Sequence, residues 1–243
     1  MNGEPKPFTD PTSEIPLIAD NLASVKHHIG EAARKAGRDP DSIHLIVVSK
    51  QVSSEKIIEA YQAGSKYFGE NKVQEAVSKI GEVNAKDVSW HFIGHLQKNK
   101  IKYLDSQFDL IHSVDSLSLA EKISAYCEGQ NRKQGVLLQV NVSGEEAKFG
   151  MTPSELEEQL PSFGQLQGIL VQGLMTIPPQ DSDAENSRQY FSALRELRDK
   201  YRAMNIEGVE LNELSMGMTN DYPIAVEEGA TFVRVGTAIF GQR

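Results

Sequence analysis

The chain has 243 residues, of which 39% are hydrophobic and 24% are charged, and its formal net charge is −9. This composition is typical of a globular protein with a sizeable core and argues against a disordered chain. The negative charge argues against nonspecific binding to nucleic acid or anionic lipid, and the single cysteine, Cys127, excludes an intrachain disulfide and any multi-cysteine metal site.

The first residues are polar and rich in proline, and they lack the apolar core of a signal peptide. Residues 1–13 are therefore predicted to form a flexible arm, and residues 14–243 a single domain, since no linker divides them. The apolar runs are strand-sized, far short of the roughly 20 residues that span a bilayer. We expect a cytoplasmic protein that has no membrane or nucleic-acid partner.

A helix is predicted first, near 14–36, because apolar side chains recur every three or four residues at Leu22, Val25 and Ile29. Eight short apolar runs then predict strands at 43–49, 66–69, 89–93, 109–113, 135–141, 169–175, 209–214 and 231–235. Helical patterns alternate with them near 54–63, 71–80, 97–104, 116–128, 153–160, 183–203 and 219–228. Thr152 and Glu155 form a capping-box pattern at the start of one of these helices.

The alternation of eight strands with helices predicts a (β/α)8 TIM barrel with an extra N-terminal helix. A doubly wound open sheet is the alternative, because it also alternates strands and helices. Such a sheet would more often carry a glycine-rich nucleotide loop after its first strand. Here the first strand ends in residues 48–52 (VSKQV), which contain no glycine.

Lys50 and Asn71 follow the first and second strands, and barrels gather functional groups at such strand ends. A lysine half-buried at the barrel mouth favours its neutral amine, which can attack an aldehyde and form a Schiff base. The alternative is an ordinary lysine whose stem lies along the strand end. Asn71 is suited to donating to a ring oxygen or phosphate, and also to capping the helix that follows it.

Two histidines, His91 and His95, lie in the third strand and the turn after it. One of them is placed to contact a ligand. Gly94 separates them and no carboxylate sits at a usual ligand spacing, so we expect no metal site. Lys148, in the polar loop after the fifth strand, is interpreted from its position as a solvated lysine.

Small and hydroxyl-bearing residues follow the last two strands at Ser215, Gly217, Gly236 and Thr237. Barrels commonly bind phosphate between these two loops, where backbone N–H groups approach closely and a helix N-terminus adds a favourable dipole. The alternative is a pair of tight turns that need glycine. Lys50 is expected to face this phosphate site across the barrel mouth.

Arg234 lies in the last predicted strand, where alternation places it on the same face as Phe232 and opposite to Val233 and Val235. Both faces of a barrel strand are buried, and an arginine is poorly suited to the face under the helices. We therefore expect Arg234 to point into the barrel mouth. A structural salt bridge to a buried carboxylate such as Glu213 is the alternative.

Six segments together resemble the pyridoxal phosphate homeostasis protein family over roughly residues 14–243. They are VVSK at 47–50, YFGENKVQE at 67–75, WHFIGHLQKNK at 90–100, GLMTIPP at 173–179, LSMGMTND at 214–221 and VRVGTAIFG at 233–241. The resemblance implies a barrel similar to the N-terminal domain of alanine racemase. It also implies pyridoxal 5′-phosphate (PLP) held as an internal aldimine on Lys50.

The same resemblance implies roles for the other site residues. The phosphate would contact Ser215, Gly236 and Thr237, while Arg234 lies near the pyridine nitrogen and Asn71 near the ring. Lys148 becomes a candidate for transient or secondary handling of PLP.

Two considerations argue against catalysis. A cationic Arg234 beside the pyridine nitrogen disfavours its protonation and makes the cofactor a weaker electron sink. A two-base racemase needs a second acid/base group, which in the resembling racemases comes from another domain and subunit. We therefore expect a monomer that is not an enzyme, and that buffers PLP or delivers it to PLP-requiring apo-enzymes. The alternative is a PLP-dependent amino-acid racemase; an aldolase or lyase with a Schiff-base lysine fits the chemistry but not the motifs.

Overall fold

Eight parallel strands close into a barrel in the order in which they occur along the chain, in a computed structural model that describes residues 17–104, 107–181 and 183–242. The strands are His44–Val48 (β1), Tyr67–Glu70 (β2), Ser89–Phe92 (β3), Leu110–Val114 (β4), Gln134–Gln139 (β5), Ile169–Met175 (β6), Val209–Ser215 (β7) and Phe232–Val235 (β8). The closed order confirms the (β/α)8 prediction and excludes the open sheet. The arm predicted at 1–13 lies outside the described residues, and the single-domain extent of 14–243 stays a prediction.

Helices surround the strands and alternate with them. The α-helices are Ile18–Lys35 (α1), Ser54–Gln62 (α2), Val73–Val83 (α3), Leu117–Glu128 (α4), Pro153–Gly164 (α5), Arg188–Arg202 (α6), Tyr222–Glu227 (α7) and Thr237–Phe240 (α8), and 3-10 helices span Pro40–Ser42, Lys98–Tyr103 and Ala184–Ser187. The predicted capping box is confirmed at α5, where Thr152 and Glu155 exchange hydrogen bonds. Across the described ranges, none of these helices combines the length and hydrophobicity that a membrane crossing requires.

Two helical predictions differ from the structure. The segment predicted as an α-helix near 97–104 is the 3-10 helix Lys98–Tyr103. In an α-helix Lys98 and Lys102 would lie one above the other, and this like-charge pair disfavours the α-helical form. The short helix α8 lies beyond the last predicted strand, at a position where the sequence patterns predicted no helix.

The extra N-terminal helix, α1, packs against α7, α8 and α2. Leu22, Val25 and Ile29 are buried on one face, as their spacing predicts. The amide of Asn21 also donates from Nδ2 to the carbonyl oxygen of Ile239, at 2.9 Å. Helix α1 thereby holds α8 at the end of the barrel where the strands finish.

The barrel has two distinct apolar regions. A small cluster fills part of the interior and contains Ile46, Leu110, Leu137, Met175 and Phe232, whereas a larger cluster lies between the strands and the helices. Strand β8 shows the predicted alternation, because Phe232 belongs to the interior cluster while Val233 and Val235 belong to the outer one. Polar side chains occupy the rest of the interior, and they connect to the cavity described next.

Candidate functional site

A cavity of about 510 Å³ opens at the end of the barrel where the strands finish. Five of the seven predicted site residues line it: Lys50, Asn71, Arg234, Gly236 and Thr237. The loops after β6 and β7 complete the lining, chiefly through Ile177, Pro179, Gln180, Asp181, Met218, Thr219, Asn220 and Asp221. The two loops contribute more of the lining than the sequence indicated, although the polar pair Gln180–Asp181 after two prolines was an available signal.

Lys50 follows β1 and Arg234 lies on β8, which are neighbouring strands. Strand β1 pairs with β8, and Ile46 stands opposite Arg234 in their register. Lys50 comes four residues after Ile46, so its position is further along the barrel axis than that of Arg234. The expected placement of Lys50 across the mouth is wrong, because closure of the barrel makes the first and last strands adjacent.

The Lys50 side chain lines the cavity but is exposed. The half-buried environment predicted for it is therefore wrong, because the wide mouth leaves the second residue after β1 open to solvent. The turn that carries it is tightly defined: Gln51 adopts a left-handed conformation with φ of 57° and donates its backbone N–H to Glu75 Oε1 at 2.6 Å. Such a conformation is uncommon for a residue other than glycine, so the turn depends on its contacts.

A buried ionic cluster supports this turn from the side of α3. The ammonium of Lys79, on α3, donates to the Ser49 carbonyl oxygen at 2.7 Å, to Glu70 Oε1 at 2.9 Å and to Glu75 Oε1 at 2.6 Å. Three acceptors match the three N–H groups of a lysine ammonium. This cluster was not predicted from the sequence, although the spacing of Glu75 and Lys79 places them on one helix face.

Glu70 is the most deeply buried member of that cluster and is fully inaccessible to solvent. Its Oε1 accepts from the Ser49 hydroxyl at 2.6 Å and from Lys79. Burial raises the pKa of Glu70, while the hydrogen bonds from Ser49 and Lys79 act in the opposite direction. Burial also acts to raise the pKa of Glu75, but the hydrogen bonds from Lys79 and Gln51 outweigh it, and the pKa is lowered.

Asn71 lines the cavity and does not cap a helix. Helix α3 has Lys72 as its N-cap and no side-chain capping hydrogen bond, so the capping interpretation is wrong. The backbone of Asn71 packs directly on Gly94 after β3, where an added Cβ would lie 2.3 Å from the Asn71 carbonyl oxygen. This close approach fixes the turn after β2 beside the cavity that Asn71 lines.

Arg234 is 4% exposed, and part of it forms the inner end of the cavity. Its Nη1 donates to Ser215 Oγ at 2.5 Å and its Nη2 donates to the Thr176 carbonyl oxygen at 3.0 Å. Arg234 therefore pairs with Ser215 and Thr176, and the salt bridge to Glu213 that was the alternative prediction is not formed. Burial lowers the pKa of Arg234 to about 10, although the Asp221 carboxylate acts to raise it. The guanidinium therefore stays cationic at neutral pH.

Ser215 and Gly217 are not part of the cavity lining. The hydroxyl of Ser215 is fully buried between Arg234 and His112 Nδ1, which lies 2.7 Å away. Gly217 has a φ of 89°, and an added Cβ would lie 2.5 Å from the Cβ of Ala225. Both residues shape the loop after β7, and their assignment as phosphate contacts stays a prediction.

Asp221 organises the same loop. Its Oδ1 accepts the backbone N–H of Met218 at 2.7 Å, and its Oδ2 accepts the hydroxyl of Ser187 at 3.1 Å. The carboxylate thereby joins the loop after β7 to the 3-10 helix that precedes α6. Its two bonds hold Thr219 and Asn220 against the cavity.

Lys148 and the two histidines of the third-strand segment do not line the cavity. Lys148 Nζ lies 3.4 Å from Glu145 Oε1 in the loop after β5. His95 pairs with Asp115 at 3.2 Å, and its ring stacks on Phe149 with centroids 3.9 Å apart. His91 is buried in the barrel interior beside His112. A role for Lys148 in handling PLP stays a prediction.

Comparisons with known proteins agree with this architecture. The pyridoxal phosphate homeostasis protein of Aquifex aeolicus is 45% identical over 225 residues, which cover 92% of this chain and 97% of that protein. The structure of PipY from Synechococcus elongatus PCC7942 with PLP bound has a TM-score of 0.81 and 39% identity, covering 92% of this chain and all of PipY. An alanine racemase from Bartonella henselae has a TM-score of 0.70 at 15% identity and matches over 58% of its own length, so it shares the fold alone.

The model of the family described as alanine racemase, N-terminal domain, matches residues 21–243, which is nearly the whole chain. The long, nearly full-length identity to the homeostasis proteins is far greater than the identity to the racemases. The chain belongs to the alanine racemase N-terminal domain family and, within it, to the pyridoxal phosphate homeostasis proteins.

Proposed function

We propose that this chain binds PLP in the cavity at the end of the barrel and contributes to PLP homeostasis by holding or delivering it. The observation that carries the proposal is the meeting of a primary amine, Lys50, and a buried cation, Arg234, in one cavity. The PLP-bound state of the related PipY supports the same ligand.

The residues of the cavity fit the chemistry of PLP. Its volume of about 510 Å³ lies within the range of roughly 300–1,000 Å³ that is typical of small-molecule sites. Arg234 uses one N–H of each terminal nitrogen for Ser215 and Thr176, so its Nε–H is not engaged by these bonds. The cavity therefore offers an amine that can react with an aldehyde. It also offers hydrogen-bond donors that can bind a ring nitrogen and an anion.

Lys50 would hold PLP through its primary amine, and the aldehyde that PLP would supply is the group with which an amine reacts. Gly236, Thr237 and Thr219 are proposed to hold the phosphate, since these residues line the cavity and carry backbone N–H and hydroxyl groups that can donate to an anion. Asn71 and Arg234 orient the ring. Arg234, as a permanent donor, keeps a facing ring nitrogen in its unprotonated, accepting form.

The same residues favour a carrier over a racemase. Among the described residues that line the cavity there is no histidine, tyrosine or cysteine. The carboxylate of Asp221 accepts from Met218 and Ser187, and that of Asp181 accepts from Asp183 and Asn186, so neither is placed as a free base. A racemase needs a second acid/base group opposite the lysine. We propose that the chain has no amino-acid turnover of its own and passes PLP to apo-enzymes.

A reconstitution experiment tests the proposal. Purified protein incubated with PLP should show a violet-region absorbance band, and borohydride reduction followed by peptide mapping should place the label on Lys50. Lys50→Ala should abolish the band, whereas Lys72→Ala, at an exposed lysine next to Asn71, should retain it. A full-strength band in Lys50→Ala would contradict the assignment. Multiple-turnover assays on a panel of amino acids should give no racemisation.

A further inference from the structure

A line of hydrogen-bonded side chains runs through the barrel interior from the end where the strands begin to the cavity where they finish. We call it the interior chain. Its members come from the strands β3, β4, β7 and β8 and from the residue before β4, and they are Asp109, Ser89, His91, His112, Ser215 and Arg234.

The cavity end of the interior chain begins at a cation that can only donate. Arg234 Nη1 lies 2.5 Å from Ser215 Oγ, so the Ser215 oxygen accepts from it. The same oxygen lies 2.7 Å from His112 Nδ1. A hydroxyl has one proton and two acceptor lone pairs, so Ser215 can either donate to His112 or accept from it, and the opposite end of the chain decides between the two.

The opposite end fixes the direction of the whole chain. Ser89 Oγ lies 2.8 Å from Asp109 Oδ2, and a carboxylate accepts, so Ser89 donates its proton to Asp109 and accepts from His91 Nε2 at 3.0 Å. Nδ1 of a neutral His91 then accepts from His112 Nε2 at 2.8 Å. His112 carries its proton on Nε2, so its Nδ1 accepts from the Ser215 hydroxyl at 2.7 Å. Each interior residue thus donates once and accepts once, from the Arg234 cation to the Asp109 carboxylate.

The surroundings keep both imidazoles in the neutral form that this pattern requires. His112 and Ser215 are fully buried and His91 is 3% exposed. Burial, with a smaller contribution from His44, lowers the pKa of His91 to about 3. The pKa of His112 is lowered well below its ordinary value, chiefly by burial and further by the neighbouring His91 and Arg234. A protonated ring would place two donors face to face and break the chain.

The position of the chain is unusual for a barrel interior, which apolar layers normally fill. Buried polar groups without partners are costly, and a partly satisfied network is worse than an apolar core. Here the bonds join end to end and terminate on the cation that faces the cavity. Chains of aligned hydrogen bonds polarise one another, so Ser215 is a stronger acceptor for Arg234 than an isolated serine.

We propose that Ser215, His112 and His91 are positioning residues that hold Arg234 as a fixed donor toward the cavity, with Asp109 as the distant acceptor. The direction of the chain stands on the hydrogen bonds alone. Its effect on PLP rests on the function proposed above. In that setting the guanidinium is held against the ligand, and substitutions deep in the barrel change how the ligand is bound.

The first test uses the protein without ligand. Long-range ¹H–¹⁵N spectra of the histidine rings at neutral pH should show His91 and His112 as neutral Nε2–H tautomers, with signals assigned by substituting one histidine at a time. A protein in which either ring is protonated on Nδ1 would overturn the inference. This result does not depend on PLP, so it stands apart from the proposed function.

The second test uses His112→Phe, with His44→Phe as the matched control. Both rings contact Phe232, with centroid distances of 5.5 Å for His112 and 5.3 Å for His44, but only His112 belongs to the chain. His112→Phe should shift the absorbance maximum of the PLP complex and raise its Kd about 10-fold, roughly the effect of one net hydrogen bond. His44→Phe should change neither.

The outcomes separate the two proposals. If the wild-type protein does not bind PLP, the proposed function fails, while the ring tautomers still decide the direction of the chain. If it binds PLP and His112→Phe matches it in spectrum and Kd, the positioning role is overturned. Should His112→Phe not fold, Ser215→Ala removes a single oxygen from the same chain and is expected to give the same spectral shift.

Discussion

Lys79 Nζ donates a hydrogen bond to the Ser49 carbonyl oxygen at 2.7 Å, which ties helix α3 to the residue before Lys50. The same ammonium neutralises Glu70 and Glu75, and Glu75 in turn accepts the N–H of Gln51. Both neighbours of Lys50 in the chain are therefore anchored to one ionic cluster. The exposed lysine side chain stands on a backbone that is rigidly held.

Lys79→Met should destabilise the protein by about 3–5 kcal/mol, because it leaves the buried Glu70 carboxylate without its cation. Urea unfolding without ligand measures this loss, and Lys56→Met, at an exposed lysine on α2, is the control that should stay within about 0.5 kcal/mol of wild type. Adding Glu70→Gln to Lys79→Met should restore part of the stability. Additive losses in the double variant would show that the two side chains are not coupled.

Glu70→Gln should change how stability depends on pH. Burial raises the pKa of Glu70 above its ordinary value of 4.5. Between pH 4.5 and the raised pKa of the folded state, the folded protein binds more protons than the unfolded chain. In that range Glu70 makes the unfolding free energy fall as pH rises. Wild type should therefore lose stability relative to Glu70→Gln from pH 4.5 toward neutrality. Unfolding curves at a series of pH values measure the difference, and parallel pH profiles would contradict the raised pKa.

The sequence predicted the residues of the cavity better than it predicted the contacts beneath them. Lys50 and Asn71 were predicted from the rule that barrel sites gather where parallel strands end. Arg234 was predicted from the alternation along its strand. Neither prediction needed any knowledge of the partners of these residues.

The contacts beneath the cavity depend on distances between strands that are far apart in sequence. His112 meets Ser215 across 103 residues, and no local pattern encodes which interior side chains share a layer. The stagger of the strands, which sets those layers, includes register shifts in the pairs β4–β5, β5–β6 and β6–β7. The exposure of Lys50 likewise depends on the width of the mouth, which the surrounding loops determine.

Ser215→Ala discriminates between two roles for this hydroxyl. A direct bond to phosphate would be worth about 1.5–3 kcal/mol, so PLP affinity would fall roughly 10- to 150-fold while pyridoxal, which lacks the phosphate, would bind as before. The position of Ser215 Oγ between Arg234 and His112 predicts a different result. The affinities for PLP and for pyridoxal should fall by a similar factor, because the loss of the hydroxyl acts through Arg234.

Titrations of the Ser215→Ala variant with PLP and with pyridoxal measure the two affinities. Thr237→Ala is the informative comparison, because its side chain is at the cavity wall and is exposed. Thr237→Ala should weaken the binding of PLP more than the binding of pyridoxal. A selective loss of PLP affinity in Ser215→Ala would show that the hydroxyl reaches the phosphate after all.

Arg234→Glu tests whether the guanidinium controls the ring nitrogen of the ligand. A cation at this position disfavours protonation of a facing nitrogen, whereas a carboxylate favours it. In a folded variant that still binds PLP, the absorbance spectrum should shift and slow side reactions with amino acids should increase, since a protonated ring is a stronger electron sink. Absorbance spectra and product analysis with amino acids measure both effects.

The substitution also disturbs the surroundings of residue 234, and a second variant separates that effect. A carboxylate would place an acceptor against the Thr176 carbonyl oxygen, which now accepts from Nη2 at 3.0 Å. Arg234→Gln removes the cation but keeps an amide that can donate to Thr176 or Ser215. We expect Arg234→Gln to shift the spectrum less than Arg234→Glu, and to raise the side reactions less, because it does not attract a proton to the ring. Equal spectra and reactivity in wild type and both variants would sink the assignment of Arg234 to the ring nitrogen.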